Sequence, residues 1–425
     1  MTDEELFKKV REIIYENMEK ASKDGSPPYH YTRPAPERYP YQFFWDTCFH
    51  VFILVSLGEI EMAKEHIKSL LRLQREDGFI GHMIYWDRLK PGRWADFFQS
   101  KFYYKNLYRS HMSSLIQPPL LAQAVSRIVK NSENLNFLKE VLPNLKAYYD
   151  WLDKNRDFDG DGLLTIISPF ESGMDWKPTY DVPLGFTEGK ANTKLYYKVI
   201  WTDFLNFINN YNLKKIYRKG HFLVKDAGLN TFYAQNLFCL GELCEMLQDQ
   251  DAKVYYSRAK EVSRNIVKVL YDEQDAAFYD VYGKENLKIK VETPTIFYPL
   301  ALSSVPEVIK VKVLERHFLS SEKFDTYYPI PSVAKDSSAF NPKESIYIWR
   351  GPTWIVNNWF LHQILEKNNY TESSQKLTRI IIQLIEKSGF REYYNPFTGE
   401  GYGAKDFTWA GLVLDMMNTN DKNLI

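Results

Sequence analysis

The chain has 425 residues, of which 44% are hydrophobic and 25% are charged, a balance that is typical of globular proteins and excludes extensive disorder. Lys and Arg together number 54, and so do Asp and Glu, so the formal net charge is zero. A neutral balance gives no electrostatic signature of binding to nucleic acid or to an anionic membrane. Trp, Tyr and Phe make up 16% of the residues. Aromatic rings pack protein cores, and their flat faces also stack on sugars.

The first twenty residues, MTDEELFKKVREIIYENMEK, alternate charged and apolar residues at helical spacing and lack the apolar stretch of a signal peptide. Cys48, Cys239 and Cys244 match neither a disulfide framework nor a metal-binding spacing. The longest apolar run, 51–57, is far shorter than a membrane span. The sequence therefore predicts a soluble, cytoplasmic protein without a membrane partner.

Helical periodicity recurs along the chain and alternates between two kinds of helix. Segment 46–57 is apolar all round and predicts a buried helix, whereas 59–74 is amphipathic and predicts a helix with one polar face. Short strand signals lie only in connections, at TIFYPL (295–300) and YYPIPSV (327–333). The predicted helices cover residues 4–20, 46–57, 59–74, 113–129, 135–151, 193–210, 230–247, 252–270, 305–318, 352–365, 372–387 and 409–417.

About twelve helices of two alternating kinds predict two concentric layers, with buried helices inside and amphipathic helices outside. Six such pairs make an all-α (α/α)6 barrel, also called a toroid, with long loops and a few short strands. We expect the whole chain, 1–425, to form this one domain, because no segment reads as a linker. An irregular helical bundle is the alternative.

The connections carry most of the polar and aromatic residues that suit chemistry. Rigid scaffolds commonly present functional side chains on loops, so we expect the site there. The five richest segments are YPYQFFWDTCFH, GHMIYWDR, SPFESGMDWKP, YIWRGPTWIVNNW and FREYYNPFTGEGYGAKDFTW.

Three carboxyl groups in these segments are candidates for acid–base chemistry. Glu171 and Asp175 lie among Ser, Pro and Gly, which favours a shaped loop, and Glu392 lies beside aromatic residues. An aromatic surrounding desolvates a carboxyl group and raises its pKa. Two carboxyl groups in unlike environments are what hydrolysis of a glycosidic bond requires. Each residue taken alone also fits a turn or a helix cap, but the repeated pairing of acids with Trp and Tyr favours a site.

The segments FWDTCFH, ESGMDWKP, IWRGPTW and EYYNPFTGEGYGAKDFTW resemble the signatures of family 63 glycoside hydrolases. Members of that family are inverting α-glycosidases with an (α/α)6 barrel, related to trehalases and glucoamylases. The matches run in the family's order from Trp45 to Trp409. The resemblance implies that Asp175 is the general acid and Glu392 the general base. Neither a cofactor nor a metal is expected.

The resemblance also implies a substrate-binding set around these two carboxyl groups. Asp46 matches a residue that holds sugar hydroxyls in the −1 subsite, and ESGMD is followed by Trp176-Lys177-Pro178 where many members have Asn-Ser-Pro. The further expected contacts are Trp45, Trp349 and Trp354 as pocket walls, Gln117 and Arg350 as polar neighbours of the sugar, Glu171 on the acid's loop, and Tyr393, Tyr394 and Trp409 around the base.

Chain length narrows the expected substrate, because short members of the family resemble mannosylglycerate and glucosylglycerate hydrolases. Their substrates end in a carboxylate, for which His82, Tyr217, Arg218 and His221 are candidate contacts. A solvated basic turn explains 213–221 equally well. The alternative substrate is a neutral disaccharide, as for an α-glucosidase or a trehalase.

Other functions stay open at this point. The segment 156–163, RDFDGDGL, has the alternating Asp157, Asp159 and Asp161 of a calcium loop but lacks the distal Glu, so a plain turn is the alternative. A sugar epimerase or a non-catalytic carbohydrate-binding protein would use the same barrel. The expected partner is a small glycoside, with no nucleic acid, and the sequence leaves homo-oligomer formation open.

Overall fold

The computed structural model describes residues 1–21, 28–86, 89–90, 92–102, 110–132, 135–319 and 323–418. The helices are α1 (Asp3–Glu16), α2 (Phe44–Ser56), α3 (Ile60–Leu71), α4 (Trp94–Phe98), α5 (Leu121–Ser132), α6 (Leu135–Arg156), α7 (Thr193–Ile208), α8 (Leu213–Lys219), α9 (Ala227–Met246), α10 (Ala252–Leu270), α11 (Glu307–Leu314), α12 (Ile355–Lys367), α13 (Thr371–Ser388) and α14 (Val413–Met417). Short 3₁₀ helices cover Pro169–Ser172, Pro178–Tyr180, Pro294–Ile296, Tyr298–Ala301 and Thr408–Leu412, and one π-turn covers Glu315–Leu319.

Short strands connect the helices in small antiparallel sheets. β1 (Met18–Ala21) pairs with β2 (Tyr29–Thr32), and β7 (Tyr271–Asp272) pairs with β8 (Ala277–Phe278). One three-stranded sheet has the order β3 (Gln42–Phe43), β4 (Met83–Tyr85), β5 (His111–Met112), and another has the order β10 (Leu287–Lys288), β9 (Val281–Tyr282), β6 (Val224–Lys225). The last hairpin is β11 (Arg391–Tyr394) with β12 (Gly401–Lys405).

The inner layer is a closed ring of buried segments. In α2 every residue from Phe44 to Val55 is buried, which is why its sequence is apolar all round. The ring runs α2, α5, α9, the 3₁₀ segment 294–301, α12, and then Thr408–Leu412 with α14, which returns to α2. The ring thus encloses one contiguous hydrophobic core.

The outer layer covers this ring with amphipathic helices. In α10 the buried positions Tyr255, Ala259, Val262 and Ile266 recur every three or four residues, so one stripe faces inward. The outer helices are α1, α3, α6, α10, α11 and α13, each next to an inner segment in space or along the chain. Six inner and six outer segments make the (α/α)6 barrel that the alternating pattern predicted.

Proline accounts for most differences between the predicted and observed elements. The helix predicted over 113–129 begins only at Leu121, because Pro118 and Pro119 cannot donate the backbone hydrogen bonds of a helix. TIFYPL was predicted as a strand but forms 3₁₀ helices, which begin at Pro294 and at Tyr298, just before Pro299. YYPIPSV contributes only the single bridge Pro331–Thr353 rather than a strand.

Two further differences concern the end of the first helix and an additional short helix. The helix predicted over 4–20 ends at Glu16, and the chain then enters β1. The short helix α8 occupies a stretch that the sequence indicated as a basic connection. None of the described helices is both long and apolar enough to cross a membrane.

The N-terminal ends of inner segments converge on one face of the barrel. Asp46 lies in the first turn of α2, Trp354 caps α12, and Trp409 lies in the 3₁₀ turn that precedes α14. The β11–β12 hairpin crosses the same face and is tied to the strip before α12 by the bridge Thr353–Tyr394. The barrel therefore brings distant segments of the chain to one place.

Candidate active site

A cavity of about 120 Å³ lies on this face of the barrel. Its walls are mainly aromatic, with several carboxyl, amide and imidazole groups between the rings. Its lining residues are Tyr39, Phe43, Trp45, Asp46, His82, Met83, Arg93, Asp96, Gln99, Gln117, Phe170, Gly173, Asp175, Ile348, Trp349, Trp354, Phe407 and Trp409.

Glu392 lies on β11 directly behind Tyr39, with only 2% of its surface exposed. The Tyr39 hydroxyl donates a hydrogen bond to Glu392 Oε1 at 2.6 Å, and Arg38 Nη1 lies 3.0 Å from Oε2. The backbone amide of Ala404 donates to Oε2 at 2.9 Å. Burial raises the pKa of Glu392, and these three contacts oppose it by favouring the carboxylate. They therefore suit a proton acceptor.

Gly403 on β12 makes room for this carboxylate. Its φ is +66°, and a Cβ at this position would overlap Glu392 Oε2 and the ring of Tyr393. Only glycine combines this backbone conformation with the absence of a side chain. The hairpin therefore depends on Gly403 to hold Glu392 in place.

Asp175 follows the 3₁₀ helix Pro169–Ser172 and lines the cavity. The chain passes Trp45 at Gly173, where φ is +73° and a Cβ would overlap the indole ring. The pKa of Asp175 is raised to about 7, chiefly by burial; the charge of Arg38 opposes this rise and the charge of Glu392 adds to it. No side chain in the described parts of the chain donates a hydrogen bond to Asp175. Its carboxyl group can thus carry a proton near neutral pH.

The loop after Asp175 is anchored by buried ion pairs. Lys177 is buried and forms ion pairs with Asp226 and with Asp280, the latter at 2.7 Å. Tyr180 donates a hydrogen bond to Asp226 at 2.8 Å. In the Trp176-Lys177-Pro178 stretch, Lys177 thus fixes the loop that carries Asp175 to the N-cap of α9.

Arg350 was expected near the sugar, but it holds the same loop from the other side. Its guanidinium donates to the carbonyls of Trp176 at 3.0 Å and Gly189 at 3.2 Å and pairs with Asp181. Arg350 is buried and is not among the residues that line the cavity.

Tryptophans form the walls of the cavity. Trp349 and Trp354 stack with their ring centroids 3.7 Å apart and an interplanar angle of 11°. Trp45 meets Trp409 edge to face at 5.2 Å. The Trp409 indole donates to Asp46 Oδ1 at 2.6 Å, yet burial raises the pKa of Asp46 to about 8.

His82 and Gln117 also line the cavity. Burial lowers the pKa of His82 to about 3, so its imidazole is neutral, and Nδ1 lies 2.6 Å from Ser113 Oγ. The Gln117 carbonyl oxygen accepts a hydrogen bond from the Trp45 backbone amide at 3.0 Å. Both side chains are uncharged and polar, so they can contact a ligand without adding charge to the cavity.

Glu171 does not join the cavity, although it lies four residues before Asp175. Its carboxylate is buried and binds the guanidinium of Arg156, with one hydrogen bond of 2.8 Å. It also accepts hydrogen bonds from the backbone amides of Ile116 at 2.9 Å and Ile167 at 2.8 Å. Because Glu171 does not line the cavity and each of its oxygens already has two polar partners, it organises the loop instead of contacting a ligand.

Three of the four side chains expected to contact a substrate carboxylate lie outside the cavity, namely Tyr217, Arg218 and His221, whereas His82 lines it. Tyr217 on α8 donates a hydrogen bond to Asp159 at 2.6 Å, and Lys284 lies over its ring. Arg218 and His221 are exposed and do not line the cavity. The hydrogen bond from Tyr217 to Asp159 places α8 beside the 156–163 loop instead.

The 156–163 loop is organised by hydrogen bonds and a lysine. Asp157 accepts hydrogen bonds from three backbone amides of 160–162. Lys225 Nζ lies 2.6 Å from both Asp159 and Asp161, at the position that a calcium ion would need. In the described parts of the chain, no group of three His, Cys, Asp or Glu side chains is arranged to hold a metal ion.

Several residues of the site escaped the sequence analysis. Tyr39 is the first residue of the quoted segment YPYQFFWDTCFH, and Arg38 directly precedes that segment. Their contact with Glu392 spans more than 350 positions, so no local spacing signalled it. The other lining residues without a predicted role are Phe43, Met83, Arg93, Asp96, Gln99, Phe170, Ile348 and Phe407.

The chain resembles known proteins over most of its length. The family described as "Mannosylglycerate hydrolase MGH1-like glycoside hydrolase domain" matches residues 39–410. Mannosylglycerate hydrolase from Thermus thermophilus is 28% identical over 90% of this chain and 95% of that protein. Glucosylglycerate hydrolase from Mycolicibacterium hassiacum is 26% identical over 91% of this chain and 94% of that protein.

A solved structure shares both the fold and the length. The crystal structure of a GH63 mannosylglycerate hydrolase from Thermus thermophilus in complex with Tris superimposes with a TM-score of 0.83 and 25% identity, covering 97% of this chain and 99% of that chain. The barrel, the aromatic cavity and these matches define a glycoside hydrolase. The chain belongs to the MGH1-like domain family and, within the wider classification, to glycoside hydrolase family 63.

Proposed function

We propose that this glycoside hydrolase is an inverting α-glycosidase in which Asp175 is the general acid and Glu392 the general base. The observation that carries the proposal is the contrast between the two groups. Burial raises the pKa of both groups. That of Asp175 rises to about 7, so Asp175 can carry a proton near neutral pH, whereas at Glu392 the contacts with Arg38, Tyr39 and the Ala404 amide oppose the rise and favour the carboxylate. Such a division suits acid–base hydrolysis.

The chemistry follows from these two roles. Asp175 gives its proton to the glycosidic oxygen as the bond between that oxygen and the anomeric carbon breaks. Glu392 takes a proton from water, whose oxygen bonds to the anomeric carbon on the opposite face. Inversion needs room for that water, so we expect the two carboxyl groups to be roughly 6.5–9.5 Å apart in a closed complex with substrate. Trp45, Trp354 and Trp409 line the cavity, and we expect these aromatic walls to exclude other water when substrate is bound.

The proposed substrates are mannosylglycerate and glucosylglycerate. The support comes from the names of the relatives, which match this chain over nearly its whole length. Trp45, Asp46, His82, Gln117, Trp349, Trp354 and Trp409 line the cavity and are the proposed contacts of the sugar.

A neutral disaccharide is the second candidate, for one specific reason. Among the described residues that line the cavity, the cations are limited to Arg93, and this guanidinium already forms an ion pair with Asp96. The basic residues of α8, which the sequence suggested for a carboxylate, lie elsewhere. A charge-balanced cavity suits an uncharged ligand at least as well as an anionic one.

A substrate panel with two variants tests the proposal. The purified protein is incubated with mannosylglycerate, glucosylglycerate, trehalose, kojibiose and nigerose, and free monosaccharide is measured. Release of glycerate is expected from the first two. Asp175→Asn should lower kcat by about a hundredfold to ten-thousandfold, because one acid–base group contributes that much. Asp325→Asn, which changes an exposed carboxylate, is the matched control and should leave kcat unchanged. Near-native kcat in Asp175→Asn would refute the acid assignment.

A further inference from the structure

A second, larger cavity lies away from the cavity that holds Asp175. It is a groove of about 550 Å³ between α9, α10, the turn 301–304 and the end of α12. Trp354, at the start of α12, lines the first cavity, and Lys367, at its end, lines the groove. Thirteen residues of helix separate the two, which is about 20 Å. The groove is therefore a separate site.

Two cations of α10 face this groove. Lys260 and Arg264 are four residues apart, and Ser257 precedes Lys260 by three, so the three share one face of the helix. Neither Lys260 nor Arg264 forms an ion pair with any residue in the described ranges. Lys367 brings a third cation from the opposite wall.

Hydrogen-bonding groups surround these cations. Ser257, Ser303 and Ser304 line the groove, and so does Ser263, whose hydroxyl already donates to the Ala259 carbonyl at 2.7 Å. Gln235 and Lys367 also border a small cavity of about 10 Å³, into which the Gln363 side chain projects. Gln363 is only 5% exposed, and neither its amide nitrogen nor its amide oxygen has a hydrogen-bond partner within the described structure. A buried amide of this kind is normally satisfied by a ligand or by ordered water.

The charge around the groove is positive on balance. Lys310 is buried near Lys367, and desolvation together with the charge of Lys310 lowers the pKa of Lys367. The charge of Glu242 raises the pKa of Lys367 and so opposes this lowering. The Glu242 carboxylate, however, also lies 3.4 Å from Lys130 Nζ. Lys310 itself lies 3.7 Å from the exposed Glu307. An anion bound between Lys260, Arg264 and Lys367 would offset the remaining repulsion.

We propose that this groove binds the phosphate monoester of a small sugar or polyol. Three cations and several hydroxyl donors match the two charges and three terminal oxygens of a phosphate better than a single carboxylate, and Arg264 can bind two of those oxygens at once. The volume lies within the range of sites for small metabolites and leaves room for the carbon chain. The site does not depend on the proposed glycosidase function.

Calorimetric titration of the full chain with glycerol 3-phosphate and with inorganic phosphate tests the proposal. We expect binding of one molecule per chain, with the ester bound more tightly than inorganic phosphate. The double variant Lys260→Ala/Arg264→Ala should weaken binding at least tenfold, because each charged hydrogen bond contributes about 1.5–3 kcal/mol. Lys214→Ala/Lys215→Ala removes the same charge from exposed positions on α8, which do not line the groove, and should bind normally. A crystal soaked with the ester should show the phosphate between α10 and Lys367.

Three results would overturn the proposal. The first is the absence of a heat of binding at ester concentrations up to about 10 mM. Such a result would mean that the binding free energy is weaker than about −3 kcal/mol. The second is equal weakening in the two double variants, which would indicate nonspecific attraction to positive charge. The third is density for the ester in the Asp175 cavity only. The substituted residues are exposed, so both double variants should retain the native unfolding temperature and the native kcat. That result would show that both variants fold as the native chain does.

Discussion

The hydroxyl of Tyr39 donates a hydrogen bond of 2.6 Å to Oε1 of Glu392, although 353 positions separate the two residues in the sequence. Arg38 binds the other oxygen of the same carboxylate. The strip that leads into α2 is thus joined to the β11–β12 hairpin at the proposed catalytic base. These contacts make the ionisation of Glu392 depend on residues that no local motif identified.

The first prediction concerns the pH dependence of activity. Tyr39→Phe removes a donor that favours the charged form of Glu392, so the pKa of Glu392 should rise. The base must be ionised to act, and the acidic limb of kcat/KM against pH should therefore move to higher pH. Arg38→Met should move it in the same direction and further, because the charge of Arg38 lowers this pKa more than the Tyr39 hydrogen bond does. Tyr327→Phe, at an exposed tyrosine, is the control. A limb that stays in place in both variants would contradict the role of Glu392.

The second prediction concerns the loop that carries Asp175. Lys177→Met leaves the buried carboxylates of Asp226 and Asp280 without their cation, which should cost about 3–5 kcal/mol of the free energy of unfolding. Urea unfolding measures this loss. Lys214→Met, at an exposed lysine of α8, should change stability by less than about 0.5 kcal/mol. Similar stability of the two variants would show that the buried ion pairs do not hold the loop.

The third prediction uses Gly403. In Gly403→Ala the new methyl group must displace the Glu392 carboxylate or the Tyr393 ring. We expect kcat to fall at least tenfold, since misplacing a catalytic group by about 1 Å can cost a hundredfold. Gly58→Ala is the matched control, because Gly58 has a similar φ of +77° but open space around it. That variant should lose stability of about 1 kcal/mol but no activity. Equal kcat in the two variants would contradict the proposed position of Glu392.

The fourth prediction separates the two candidate sites for a substrate carboxylate. Arg93 lines the cavity, whereas Arg218 is exposed outside it. If a glycosylglycerate is the substrate, Arg93→Met should raise its KM at least fivefold and leave KM for a neutral disaccharide nearly unchanged, because a charged hydrogen bond is lost. Arg218→Met should change neither KM. A selective rise of KM in Arg218→Met would restore the sequence-based assignment of the α8 segment.

The sequence predicted the fold well because buried and amphipathic helices leave different hydrophobic patterns. Segment 252–270 was predicted to the residue, whereas the start of α5 was misplaced because its apolar pattern continues upstream through two prolines. The resemblance to the family's motifs implied Trp45, Trp349 and Trp354 as pocket walls and Trp409 near the base, and these roles stay predictions. The hydrophobic pattern of the sequence therefore predicts the helices, whereas the roles of the site residues were expected mainly from the motifs of the family.

Sequence patterns could not separate the carboxylates of the Asp175 loop by role. Glu171 and Asp175 have similar neighbours in sequence, and only the position of Arg156 in space shows that Glu171 is already paired. The sequence also did not show where Arg218 lies relative to the cavity, because packing sets the orientation of a short helix that lies between two longer ones. The Arg38 and Tyr39 contacts with Glu392 needed the closed barrel.

The stereochemistry of hydrolysis tests the central claim most directly. Proton NMR of the first minutes of reaction with α-linked mannosylglycerate or glucosylglycerate shows which anomer is released before mutarotation mixes the two. Attack of water activated by Glu392 on the face opposite Asp175 predicts that the β-anomer appears first, and that Glu392→Gln releases almost no sugar. Initial release of the α-anomer would contradict the inverting mechanism, and so would native kcat in Glu392→Gln.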